Sequence, residues 1–150
     1  MRKITLVFGL ALALAGCGPD LPGKVSFVAQ SAQLQSGVQV NFQDAWARPH
    51  EITVKLWLAN MSQAFMAVNR DGFALRLADG RVVRYAGAVH NVYTLPPGGG
   101  HEVHVVFKDP GQDMRLNQGA SLIVGGISYN TDPRERVVGE IPLVANGEHP

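Results

Sequence analysis

The chain has 150 residues, of which 46% are apolar and 17% charged, with 13 basic against 12 acidic side chains and one cysteine. That length fits one domain, that hydrophobicity excludes a largely disordered chain, and a net charge of +1 excludes a basic nucleic-acid binder. A lone cysteine excludes an intramolecular disulfide and a cysteine-clustered zinc site.

Arg2 and Lys3 form a short positive start, and Ile4 to Leu14 follow as an apolar run. A charged start, an apolar run of about 7–15 residues and a small-residue cleavage site make a secretory signal. The run is too short to span a membrane, which needs about 20 apolar residues. Leu14-Ala15-Gly16-Cys17 resembles the bacterial lipobox. That resemblance implies a diacylglyceryl thioether on Cys17, cleavage before Cys17 and acylation of the new amino group. Cysteine suits this chemistry because its thiolate is a strong nucleophile. Several acyl chains on one residue hold a protein to a bilayer, where one chain binds only marginally. Gly18 stands where the aspartate of inner-membrane retention would be, which implies outer-membrane sorting in a Gram-negative cell. Cleavage also removes Arg2 and Lys3, leaving the mature chain with one more acidic residue than basic.

The expected organisation is a signal peptide over 1–16, an acylated tether and lead-in over 17–36, a sandwich over 37–146 and a tail over 147–150. The lead-in carries Pro19, Pro22 and Gly23 and a short first strand expected at Val25 to Ala29. From Val38 onward the hydrophobic period is two. Val38, Val40 and Phe42 alternate with polar neighbours, as do Ile52, Val54, Leu56 and Leu58, then Phe73, Leu75 and Leu77, then Val103, Val105 and Phe107. Such alternation marks strands with one buried and one wet face. Asp79-Gly80 between two runs predicts a hairpin. Pro96-Pro97-Gly98-Gly99-Gly100 and Asp109-Pro110-Gly111 punctuate the chain, and runs at Ser121–Tyr129 and Arg136–Val144 complete it. Seven or eight short strands without a sustained helical period predict an all-β, immunoglobulin-like antiparallel sandwich.

Three segments carry a further resemblance. Ile52 to Asn60 with Met61-Ser62, the Phe73 to Arg81 hairpin, and Leu95-Pro96-Pro97-Gly98 with the strand ending at Phe107 are similar to a telokin-like, immunoglobulin-like domain of unknown function. That domain occurs in secreted and lipid-anchored bacterial proteins, and the similarity spans Val38 to Pro110. It implies an immunoglobulin-like fold outside the cytoplasm and no known enzymatic activity.

His101-x-x-His104, with His90 and His50, invites a metal reading. On a strand, however, positions three apart point to opposite faces, so no metal or other cofactor is expected. Met61, Met66 and Met114 are read as core or surface filling. The triple glycine is followed by a strand, so it is not a phosphate loop. No nucleophile elbow surrounds Ser121 or Ser128, which leaves His104 and Asp109 without a serine to serve. Glu102 and Glu140 are solvated strand carboxylates. Trp57 falls on the outward phase with Lys55, and Arg76 and Arg84 on the outward phase of the next hairpin. Trp57, Arg76 and Arg84 therefore form the candidate partner surface, provided Trp57 is not covered by the 61–68 segment or by the second sheet. The expected role is a non-catalytic structural or binding module of the envelope, with the membrane and an envelope protein as partners. The alternatives are a lipoprotein subunit of a secretion or envelope machine, which the type VI sandwich lipoprotein matches in architecture, and a periplasmic metal carrier using His90, His101 and His104.

Overall fold

Ile52, Val54, Leu56 and Leu58 are each 0% exposed, so the period-two reading of this segment holds at every inward position. They lie on β4 (Glu51–Asn60), the middle strand of a first sheet between β3 (Val38–Arg48) and β9 (Gly100–Lys108). The structure is a computed structural model that describes residues 23–24, 31–114 and 119–143. The signal peptide, Cys17, the strand expected at 25–29 and the 147–150 tail lie outside the described residues.

Two short segments extend the first sheet beyond β3. β1 (Gly23–Lys24) pairs with Ala47 and Trp46, and β2 (Ser31–Gln33) pairs with Asn41 to Gln39. The paired domain thus reaches N-terminal to residue 37, where the sequence reading placed its boundary. The reason is that an edge strand of two or three residues satisfies a row of β3 backbone groups without needing any hydrophobic alternation of its own.

The second layer holds β5 (Met66–Asn69), β6 (Ala74–Leu77), β7 (Val82–Arg84), β8 (Val92–Leu95), β10 (Ala120–Val124), β11 (Ile127–Tyr129), β12 (Asp132–Arg136) and β13 (Gly139–Leu143). β13-β10-β6-β7 and β12-β11-β5-β8 form two four-stranded ladders in the same order. Each strand of one ladder continues, in sequence, into a strand of the other. Bonds from Asn69 N to Gly126 O and from Val138 N to Val124 O carry the pairing across the break. The result is one kinked layer of four broken strands facing the three long ones. All pairings are antiparallel, as expected.

Between the layers lie Val38, Val40, Val54, Leu56, Val105 and Phe107 on one side and Val68, Phe73, Leu75, Leu122, Val124 and Ile127 on the other, all 0% exposed. Removing such a side chain from water is worth about 1.5–3 kcal/mol. The Asp79-Gly80 hairpin joins β6 to β7 with Gly80 at φ 86°, as the sequence predicted. One departure lies in β3. A bulge between Phe42 and Asp44 shifts the register, so Ala45 rather than Asp44 faces the core and Phe42 is only half-buried.

Both long edges are laced. Tyr85 bridges Phe107, with Ala86 N bonding Val106 O at 2.7 Å, and Gln35 N bonds Val138 O at 3.0 Å. The two ends of the sandwich are therefore distinct. One end carries Arg48 to Glu51, the Asp79–Arg81 turn and Asp109, tied together by Arg81, which pairs with both Asp79 and Asp109. The other carries Ser36, Asn60 to Phe65, the Pro96–Gly99 turn and Tyr129.

Candidate functional site

The candidate surface residues do not converge. Trp57 and Asn41 are cross-strand partners on the outer face of the first sheet. Arg76 and Arg84 lie on the outer face of the second. Outward phase is shared, but the two outward faces of a sandwich point in opposite directions. The single patch expected from sequence is thus corrected to two separate faces. Trp57 is 40% exposed. Its indole lies across Gly100, where an added Cβ would stand 2.5 Å from Nε1. Beside it, Glu102 accepts from Lys55 at 2.9 Å and from His104 at 3.0 Å. Hydrogen bonding from His104 and then Lys55 holds the Glu102 carboxyl below the usual carboxylate range.

On the opposite face Arg76 pairs with Glu140 at 2.8 Å. That hydrogen bond is the main cause lowering the Glu140 pKa. Asp132, bonded to Arg134 and Arg136, is held far below its ordinary value, chiefly by the Arg134 side chain. All three carboxyls have folded-state values below their unfolded ones. Their contribution is therefore complete above the unfolded pKa and is lost as pH falls through the folded value. Urea midpoints should stay level down to about pH 5 and decline below that. A decline on the alkaline side of neutrality instead would contradict this assignment.

The described histidines are dispersed. His101 packs on Tyr93, ring centroids 4.4 Å apart, at the inward phase of β9, while His104 faces outward to Glu102. His90 bonds Asp71 at 2.7 Å, and His50 sits at the other end of the domain beside Asp113 at 3.6 Å. Met66 and Met114 are buried and Met61 is exposed. Nor do the described serines meet a histidine, although Ser121 hydrogen-bonds the Glu140 carboxylate. Ser121 and Ser128 lie on the outer phase of the second sheet, His104 on the outer face of the first, and Asp109 is held by Arg81.

Two buried polar residues escaped the sequence reading, although phase marks both. Asn60 continues the inward series of β4 and is 0% exposed. Its Nδ2 donates to Ala64 O at 2.8 Å and Leu95 O at 3.0 Å, and its Oδ1 accepts from Ser62 N and Oγ. Arg70 follows Met66 and Val68 on the inward phase and is 7% exposed. Its guanidinium lies 5.1 Å from the Tyr93 ring and 5.8 Å from that of Tyr85, and its Nε has no hydrogen-bond partner among the described residues. With its Nη1 donating to His104 O on β9 at 3.4 Å and its guanidinium over Tyr93 on β8, Arg70 plugs the open edge between these strands.

Among the described residues, the surface carries grooves at both ends. One, of about 360 Å³, lies at the Asn60 end between Ser36, Ser62, Ala64, Tyr129, Asp132 and Arg136. The Tyr129 hydroxyl donates to Ser36 O at 2.7 Å, and burial pushes its pKa up. The other, of about 300 Å³, lies at the Arg48 end between Trp46, Arg48, Glu51 and Thr53.

The decisive comparison concerns residues 1–17, which match the family model of the prokaryotic membrane lipoprotein lipid attachment site. The chain carries the signal of a bacterial lipoprotein. Cys17 is the last residue of the match, and the lipoprotein is anchored to a membrane of the cell envelope. No curated protein matches it in sequence. Among solved structures it is similar to the yjhA protein from Bacillus subtilis, at 12% identity and a TM-score of 0.53, over 74% of this chain and 96% of that one. It also overlaps a Bordetella pertussis protein given the name ApaA, at 14% identity and a TM-score of 0.46, over 81% of this chain and 99% of that one. The first of these likenesses shows the fold alone.

Proposed function

We propose that the lipoprotein is held at the outer membrane by acyl groups on Cys17, and that its sandwich is a non-catalytic structural or binding module facing the periplasm or the cell surface. The attachment signal joined to a single β-sandwich carries this reading. Anchoring confines the domain to a surface and raises its effective concentration toward envelope partners. Ser121 meets the Glu140 carboxylate but no described histidine, which supports a role without chemistry, because catalysis needs a nucleophile, base and orienter in mutual reach. Gly18 supports outer-membrane sorting.

Cys17→Ser is expected to move the protein from the membrane fraction to the soluble fraction. In a two-membrane cell, Gly18→Asp should shift it from the outer to the inner membrane on a density gradient. Unchanged fractionation of the first variant would refute the anchor, and of the second the sorting.

A further inference from the structure

The anchor and the fold together orient the domain. β1 begins at Gly23, where it pairs with Ala47 near the end of β3. From Cys17 to Gly23 there are six residue steps, which span at most about 22 Å even when fully extended. The lipid on Cys17 therefore cannot sit far from the Arg48 end of the first sheet, whatever path those residues take. The groove between Trp46, Arg48, Glu51 and Thr53 lies at this end.

Its chemistry matches an interface. Trp46 and Thr53 are cross-strand partners on the outer face of the sheet, and Arg48 and Glu51 are the next outward pair toward the hairpin. The Glu51 carboxylate is taken by Lys108 at 3.1 Å. Nothing among the described residues pairs with exposed Arg48. A half-buried indole beside an unpaired guanidinium is what a phospholipid headgroup layer accepts. The amphipathic ring sits at headgroup depth, and the guanidinium binds phosphate oxygens in a fork. The other arginine at this end, Arg81, is taken by Asp79 and Asp109, and Asp113 lies beside His50. Among the described residues, Arg48 is thus a cation at this end without an acidic partner, open to a phosphate.

We propose that the groove formed by Trp46, Arg48, Glu51 and Thr53 is a phospholipid-headgroup site, so that the anchored sandwich rests end-on on its bilayer with the Asn60–Phe65 and Tyr129 end pointing away. This rests on acylation at Cys17 but not on the domain being non-catalytic or on which membrane holds it.

The chain has two tryptophans, and both lie on this one outer face. Thr53, the partner of Trp46, and Trp57 are four positions apart on β4, about 13 Å along the strand. They report two heights. The acylated protein would be reconstituted into phosphatidylethanolamine and phosphatidylglycerol vesicles containing headgroup-spin-labelled lipid. Trp57→Phe leaves Trp46 as the reporter, and Trp46→Phe leaves Trp57. Quenching of Trp46 should exceed that of Trp57 severalfold, and Arg48→Gln added to Trp57→Phe should reduce it. Both single-tryptophan variants substitute positions outside the core, and unchanged circular dichroism would confirm their fold. If the protein stays on the vesicles but the two tryptophans are quenched equally, or neither is, headgroup docking is wrong while the anchor stands. If the protein leaves the vesicles, the anchor and this proposal both fail.

Discussion

Replacing Asn60 by alanine is expected to destabilise the domain by about 3 kcal/mol or more, because a buried group left without its partner costs about 1–3 kcal/mol and several would be orphaned together. The amide closes a knot at the end of the sandwich away from the anchor. Leu95 O, Ala64 O and Ser62 N all turn inward to it within 3.0 Å. Its backbone adds to the knot, since Asn60 N bonds Gly99 O and Asn60 O receives Gly98 N. One residue thus ties β4 to the crossover that carries the chain from β8 in the second layer to β9 in the first. The measurement is the urea midpoint, with the m-value unchanged if the variant still unfolds in two states. Asn60→Asp gives a sharper test. Its carboxylate would face two carbonyl oxygens, and burial would raise its pKa. Relative to the parent protein, Asn60→Asp should therefore recover part of its deficit as pH falls and the acid gains a proton to donate. A loss below about 1 kcal/mol for Asn60→Ala would mean the knot is dispensable.

The sandwich was legible because one buried face imposes a strict period of two. β4 shows this best, since its inward series runs unbroken from Ile52 to Leu58 and each member is fully buried. The same series, carried one step further, reaches Asn60, and the series of Met66 and Val68 reaches Arg70. A phase argument applied to polar residues would have found both. The Gln43 bulge was not legible, because one unpaired residue in β3 is defined by the strand opposite it, not by its own neighbours. The same holds for the partner surface. Local phase says that Trp57, Arg76 and Arg84 point outward, but it cannot say out of which sheet. Sheet membership is set by pairings between residues far apart in the chain, such as Trp57 with Glu102 and Arg76 with Ser121. Cys17 was readable for the opposite reason. A lipidation signal is a local string recognised before folding, so no tertiary contact enters into it.

Gly126→Ala and Gly72→Ala are each expected to cost about 3 kcal/mol or more, since neither clash can be relieved by a side-chain rotation. These residues make the kink in the second layer. A Cβ on Gly72 would lie 2.1 Å from Gly126 N, and one on Gly126 would lie 2.1 Å from Asn69 O. Gly126 also has φ +69°, which costs an ordinary L-residue about 1–2 kcal/mol. The two backbones touch here because the strand through β5 and β6 and the strand through β10 and β11 break at the same level. The break turns Arg70 into the edge between Tyr85 and Tyr93, so loosening it should also loosen that plug. Two clashes at one contact are not independent, because whichever substitution comes first forces the strands apart and makes room for the second. The double variant Gly72→Ala/Gly126→Ala should therefore lose clearly less stability than the two single losses combined. A four-point urea-unfolding cycle measures this directly. Simple additivity would show that the glycines act separately and that the kink does not depend on their contact.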